Sequence, residues 1–307
     1  MAAQNIQYHR LMPKAYATAT AFRRALEDRL GVIAKDEGVD LQRIRRQVSF
    51  DRLLSRLFIG PNPPWVLKGG YALELKLATA RTTKDLDLGL DQMPGSAGDW
   101  ENNAAALLAI LQEKAMQSLD DFFEFTIGEP MQELDAAPYN GARYPVEARL
   151  DGRTFAKFHL DVGTGDVQRD PVEMVTPRDW LTFAGVPAQS FPSIADEEHF
   201  AQKLHAYTFP RENRPNSRVK DLVDLVLLIE RGNLDAERLR RDVTDTFSRR
   251  KTHELPASLE PPPAFWLPTF ARMAEECGID PDCERQFERV REFCLRLALL
   301  PAIPDRD

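Results

Sequence analysis

Trp65-Val66-Leu67-Lys68-Gly69-Gly70-Tyr71-Ala72-Leu73 runs from a short apolar strand through two glycines into the start of a helix. After seven intervening residues, Arg81-Thr82-Thr83-Lys84-Asp85-Leu86-Asp87-Leu88-Gly89-Leu90 begins polar and settles into strict alternation. That period of two predicts a strand with the carboxylates of Asp85 and Asp87 on one face. Strand, glycine turn, short helix and acid-bearing strand together form the nucleus of a mixed sheet. The two glycines let the backbone approach a ligand closely and present amide donors at a helix start, which suits a phosphate chain. Two like charges on one strand face are costly unless a cation neutralises them. Hard carboxylate oxygens beside phosphates suit Mg²⁺, with Mn²⁺ as the alternative, so Asp85 and Asp87 are candidate metal ligands.

Downstream, Tyr144 to Leu150 and Thr154 to Val162 flank Asp151-Gly152-Arg153, a hairpin signal. In the second arm, Lys157-Phe158-His159-Leu160-Asp161-Val162 alternates so that Asp161 is an acid on the polar face of an apolar strand. Asp161 is therefore a candidate third metal ligand. Three acids on adjacent strands can hold two ions, one activating an attacking hydroxyl and one on a departing pyrophosphate. His159 shares the face of Asp161 and has no predicted partner, so it reads as a structural histidine, and His205 reads the same way. Phe122 to Ile127 adds another β-rich run.

The flanks are helical. Phe22, Leu26 and Leu30, then Ile44, Val48 and Leu57, recur at helical spacing, and a further stripe runs from about Asp99 to Leu119. From Ile194 onward the stripes pass through Phe200, Leu204 and Tyr207, then Leu222 to Ile229, then Leu234 to Phe247. Pro256 to Pro263 reads as a linker before two final helices. The fold class is α+β: N-terminal helices over 1–59, a mixed β-sheet core with flanking helices over 60–190, and an all-helical C-terminal domain over 191–307. Within this division the sheet itself is expected to span about residues 60 to 175.

Composition narrows the class. In 307 residues, 43% are hydrophobic and 29% charged, as in a globular protein able to bury a core. No window is apolar enough for a membrane span, and the first residues lack the apolar core of a signal peptide, so a cytoplasmic protein with no membrane partner is expected. Cys277, Cys283 and Cys294 form no zinc pattern and read as buried free thiols, consistent with a reducing compartment. A net charge of −8 argues against a general nucleic-acid coat. The segment from Lys203 to Lys251 nevertheless carries twelve Lys/Arg against eight Asp/Glu, leaving room for an anionic partner.

The order of the motifs resembles the nucleotidyltransferase superfamily, in which a glycine turn, a D-x-D strand and a later strand acid form the catalytic centre. More narrowly, it resembles the AbiEii/AbiGii (MenT-like) toxins of abortive-infection and toxin–antitoxin systems. Arg81, Thr83, Asp85 and Asp87 match the Arg-x-Thr-x-Asp-x-Asp of that family. Pro192-Ser193-Ile194, Lys203 and Arg218-Val219-Lys220-Asp221-Leu222-Val223-Asp224 match its second half. The resemblance implies a metal-dependent nucleotidyltransferase that transfers NMP from an NTP to an acceptor hydroxyl. It further implies an RNA acceptor such as the tRNA 3′ end, and a cognate antitoxin. It makes Asp85, Asp87, Asp161, Lys203 and Asp221 the catalytic set. Lys68, Gly69, Gly70, Arg81, Thr83, Lys203 and Arg218 become the nucleotide-binding set. In this reading Lys203 neutralises the triphosphate and Asp221 orients Lys203 or Arg218.

Each assignment has a plainer competitor. Lys203 fits a surface lysine extended from an amphipathic helix, and Asp221 and Asp224 fit first-turn helix charges capped by Ser217. The family often carries Ser or Thr after the glycines. Here Tyr71 stands there, which leaves more of the phosphate binding to the amides of Gly69 and Gly70. Two other functions compete: a metal-dependent glycosyltransferase using Asp85-Leu86-Asp87, and a non-catalytic nucleotide-binding module. The first requires neither the glycine turn nor Lys203, and the second requires none of the three acids.

Overall fold

The computed structural model describes residues 16–77, 81–90, 100–133, 141–165, 172–211 and 216–300. Two helices lead, α1 (Ala19–Glu37) and α2 (Leu41–Leu57). Thr18 caps α1 by accepting from the Ala21 amide, and Gly38 ends it at φ 65°, a left-handed turn that favours glycine. Phe22, Leu26 and Leu30 form its buried stripe. Next come β1 (Trp65–Lys68), α3 (Gly69–Lys76), β2 (Asp85–Leu90), α4 (Trp100–Ala115), β3 (Phe123–Ile127), β4 (Gln132–Glu133), β5 (Gly141–Leu150), β6 (Arg153–Thr164), β7 (Val172–Val175) and β8 (Phe191–Ile194). Among the described residues five α-helices follow: α5 (Asp196–Thr208), α6 (Val219–Arg231), α7 (Ala236–Arg250), α8 (Leu267–Cys277) and α9 (Cys283–Arg296).

The described strands form one mixed sheet in the order β3-β5-β6-β2-β1-β8-β7, with β4 also on β5. Strand β2 lies near its centre, parallel to β6 and antiparallel to β1. The β5–β6 hairpin turns at Asp151 and Gly152, whose φ values of 55° and 66° suit the turn type that matches strand twist. The sheet reaches further than the sequence pattern indicated, because Phe191–Ile194 pairs with both β1 and β7. Four residues show no period, so only their neighbours reveal them as a strand.

Among the described residues two large apolar cores result, beside a small cluster of Val66 and Ile194. One lies between the sheet and helices α1, α2 and α4, and the other holds the C-terminal helices together. Helix α3 joins them, with Tyr71 and Ala72 in the first and Leu73 in the second, where Leu77 just past its end follows. A buried ion pair pins α2 to the sheet: Arg56 Nη2 donates to Asp121 Oδ1 at 2.7 Å and Arg52 Nε to Asp121 Oδ2 at 2.6 Å. The three thiols are free and buried, as expected. Among the described residues no helix is long and apolar enough to cross a membrane.

Candidate active site

The β1–α3 turn lies directly against the acids of β2. Gly69 has φ +69°, and a Cβ placed on it would stand 2.1 Å from Asp87 Oδ2. A Cβ on Gly70 would stand 2.8 Å from Thr83 Oγ1. Glycine is therefore required by both conformation and space at 69, and by space at 70. Among the described residues no side chain caps the start of α3, which leaves its first amides and the positive end of its dipole for a ligand. Sheet register completes the arrangement: Lys68 opposes Asp87, Asp87 neighbours Asp161, and Asp85 neighbours His159. The three predicted acids thus come to one face.

Their electrostatics differ. Enclosure by the protein, and then the adjacent Asp161 charge, push the Asp87 carboxyl up to about 7, against the opposing pull of Lys68 and Lys203. Asp161 is held by Arg143, whose Nε donates to Oδ1 at 2.8 Å and Nη2 to Oδ2 at 2.7 Å. The same Nη2 lies 3.8 Å from Asp85 Oδ2. His159 Nδ1 lies 3.1 Å from Asp85 Oδ1, so this histidine has the partner that sequence did not supply. Hard oxygens in mutual repulsion fit a divalent cation chemically. In the arrangement present, though, the guanidinium engages Asp161, and among the described residues no three acidic, Cys or His side chains are grouped to hold an ion.

Lys203 is mostly covered, at 13% exposure, with Nζ 3.1 Å from Asp221 Oδ1 and 2.8 Å from Asp224 Oδ2. Arg81 binds the same Asp224 through Nε at 2.9 Å and Nη2 at 2.8 Å. Burial alone would raise the Asp224 carboxyl, but Arg81 and Lys203 outweigh it and hold it well below the ordinary carboxylate range. Lys203 is likewise kept charged: burial would lower it, and Asp224 and Asp221 raise it above an ordinary lysine. Thr83 Oγ1 donates to the Asp85 carbonyl at 3.2 Å, fixing the entry to β2. Arg218 stands at the start of α6, 3.7 Å from Asp221 Oδ2. Its amide donates to Asn216 Oδ1 at 3.0 Å, so Asn216, not Ser217, supplies the side-chain acceptor there.

Residues 52–303 match the family described as nucleotidyl transferase AbiEii toxin of a type IV toxin–antitoxin system. The chain belongs to the AbiEii toxin family. It is accordingly a nucleotidyltransferase, which sets aside the glycosyltransferase and non-catalytic alternatives. Its fold is similar to that of MenT4, a nucleotidyltransferase toxin from Mycobacterium tuberculosis H37Rv, with TM-score 0.51 and 18% identity over 95% of this chain and 91% of that one. JHP933 from Helicobacter pylori matches at TM-score 0.43 and 15% identity, over 82% of this chain and 94% of that one. No curated protein sequence matches the chain.

Several residues of this AbiEii-family chain lie elsewhere than the acids. Tyr71 is 1% exposed and turns its hydroxyl onto Asp51 of α2, which also accepts from Trp180 Nε1 at 2.9 Å. Burial pushes the Asp51 carboxyl up to about 8. Tyr71 is thus a core residue that ties α3 to α2. His205 packs 4.5 Å from His253 and lies 3.2 Å from Arg250 Nη1, facing α7 rather than Lys203's partners. Of the basic residues between Arg211 and Lys251, Arg238 lies 3.6 Å from Glu197 and Arg240 Nε binds the Leu297 carbonyl at 2.7 Å. Arg214 lies outside the described residues. Lys220 does feel the charges of Arg81 and Asp85, although enclosure is the main cause that lowers it.

Sequence reasoning missed Arg143 and gave Asp224 too small a part. Asp224 was visible as the last acid of the second motif, but Arg143 had no local signal. Without the register shift between Ala148 and Arg149, the hairpin would set Arg143 opposite Leu160; the shift sets it opposite Asp161.

Proposed function

We propose that this AbiEii toxin is a divalent-metal-dependent enzyme that transfers NMP from an NTP to a hydroxyl of an RNA acceptor, the tRNA 3′ end being the target class. The observation that carries this reading is the seating of the Gly69 turn on Asp87, with Asp85 and Asp161 on the same face. The α3 amides and Lys68 suit the phosphate chain, and Lys203, held by Asp221 and Asp224, supplies a fixed positive charge for the departing phosphates. Asp85, Asp87 and Asp161 would hold Mg²⁺ or Mn²⁺. When bound, the ion lowers the pKa of the attacking hydroxyl and neutralises charge on the pyrophosphate. The acceptor oxygen bonds to the α-phosphorus as the bond from that phosphorus to the β-bridging oxygen breaks. Pyrophosphate leaves, and the hydroxyl proton passes to water.

Arg218, beside Asp221, and Lys220, within reach of the Asp85 charge, are basic side chains that suit an RNA backbone beside the site. A cytoplasmic setting supplies NTP, divalent ion and tRNA together, and a cognate antitoxin is the partner that the family implies. The test is incubation of the purified chain with each α-labelled NTP, Mg²⁺ or Mn²⁺, and total bacterial RNA. Label appearing in the tRNA band, dependent on divalent metal, is the expected result. Label in no RNA under any condition would overturn the acceptor assignment, and transfer in EDTA would overturn the metal assignment.

A further inference from the structure

Arg143 bridges acids from two strands. Its fork takes both oxygens of Asp161 on β6, at 2.8 and 2.7 Å, and reaches within 3.8 Å of Asp85 on β2. A guanidinium keeps its charge at any accessible pH and in this bidentate geometry takes one lone pair on each carboxylate oxygen. A divalent cation draws on the lone pairs of the same oxygens. The two cations therefore compete for one set of donors.

Exposure separates this pair from the structural one elsewhere in the fold. Arg56 clamps Asp121 at 1% exposure on both sides, so its release would strand a buried charge. The Arg143 side chain is 28% exposed and Asp161 12%, so the guanidinium can return to water. The register shift between Ala148 and Arg149 is what sets Arg143 opposite Asp161 at all.

We infer that Arg143 is a positioning residue that holds Asp161 and lies beside Asp85, and that its charge and its hydrogen bonds oppose a divalent cation at these carboxylates, so that it sets the metal affinity of the site. The inference rests on the metal-dependent reading above.

The test is Mn²⁺ binding to the full chain without nucleotide, followed by electron paramagnetic resonance, together with melting in EDTA and in saturating Mn²⁺. Arg143→Ala is expected to bind Mn²⁺ about tenfold more tightly than wild type, since a charge-assisted bidentate pair no longer competes. It should melt below wild type in EDTA, with the gap closing in Mn²⁺. Arg143→Lys keeps the charge without the fork and should fall between the two, and it carries the test should the alanine variant not fold. Affinity equal to or weaker than wild type, in Arg143→Ala or in a folded Arg143→Lys standing alone, overturns the inference. If equal binding is abolished by Asp87→Asn, the inference fails while the metal reading stands. If no form binds Mn²⁺, both fail.

Discussion

Asp87 lies under the Gly69 turn and beside a second carboxylate, Asp161. Because enclosure and that neighbour already disfavour its charge, Asp87→Asn should leave the fold intact and melt no lower than wild type in the absence of metal. Nucleotidyl transfer should fall at least about 100-fold, since a ligand for the charge-neutralising ion is lost. Labelled-NTP turnover beside thermal melting checks both halves, and retention of more than about a tenth of the rate would remove Asp87 from the centre. Gly69→Ala probes the same contact from the backbone side. Its methyl would meet Asp87 Oδ2 at 2.1 Å, and its φ of +69° costs an L-residue about 1–2 kcal/mol. Denaturant unfolding should show that modest loss, while turnover falls much further because the turn must lift off the carboxylate. Unchanged turnover would place the phosphate chain elsewhere.

Between elements, the informative link is Asp224 of α6, bound by Arg81 ahead of β2 and by Lys203 of α5. Three segments far apart in the chain meet at one buried carboxylate, itself 1% exposed. Asp224→Asn leaves two covered cations short of a counter-charge, a change that costs about 3–5 kcal/mol. The pH dependence follows from the lowered carboxyl. Its stabilisation is fully present above the unfolded-state value of about 3.9 and is lost as pH falls through the lower folded value. The stability gap between wild type and Asp224→Asn should therefore be flat from neutrality to about pH 5 and close below about pH 4. Unfolding midpoints across that range measure it. A gap that is absent at neutral pH, or that widens in acid, would mean that Asp224 is not the ionised hub.

For the whole molecule, the sheet-side core and the helical core meet at α3, and the Arg81–Asp224 link lies between them, so the acids of the sheet and Lys203 of α5 lie near one another. As a member of a toxin family, the wild-type chain should arrest bacterial growth when expressed, and an equally abundant Asp85→Ala variant should not. Growth curves matched for protein level decide this. Equal arrest by the two forms would place the harm outside the nucleotidyltransferase centre.

The features legible in the sequence are local ones. The glycine turn after β1, the paired faces of Asp85 and Asp87, the Asp151-Gly152 hairpin and the helical stripes all depend on residues a few positions apart. Backbone conformation and side-chain period fix such features without reference to the rest of the chain. The resemblance of two motifs then drew Lys203 and Asp221 toward the acids, and the fold brings Lys203 close enough for its charge to act on Asp87. The remaining features depend on contacts between segments far apart in the chain. Strand β8 is a strand because β1 and β7 pair with it, His159 reaches Asp85 because β6 runs parallel to β2, and Tyr71 turns from the turn it follows because Asp51 waits on α2. Arg143 meets Asp161 because of a one-residue shift in a hairpin ladder. Register between elements is set by packing over the whole sheet, and a single-residue slip changes which side chains face each other without altering any local pattern.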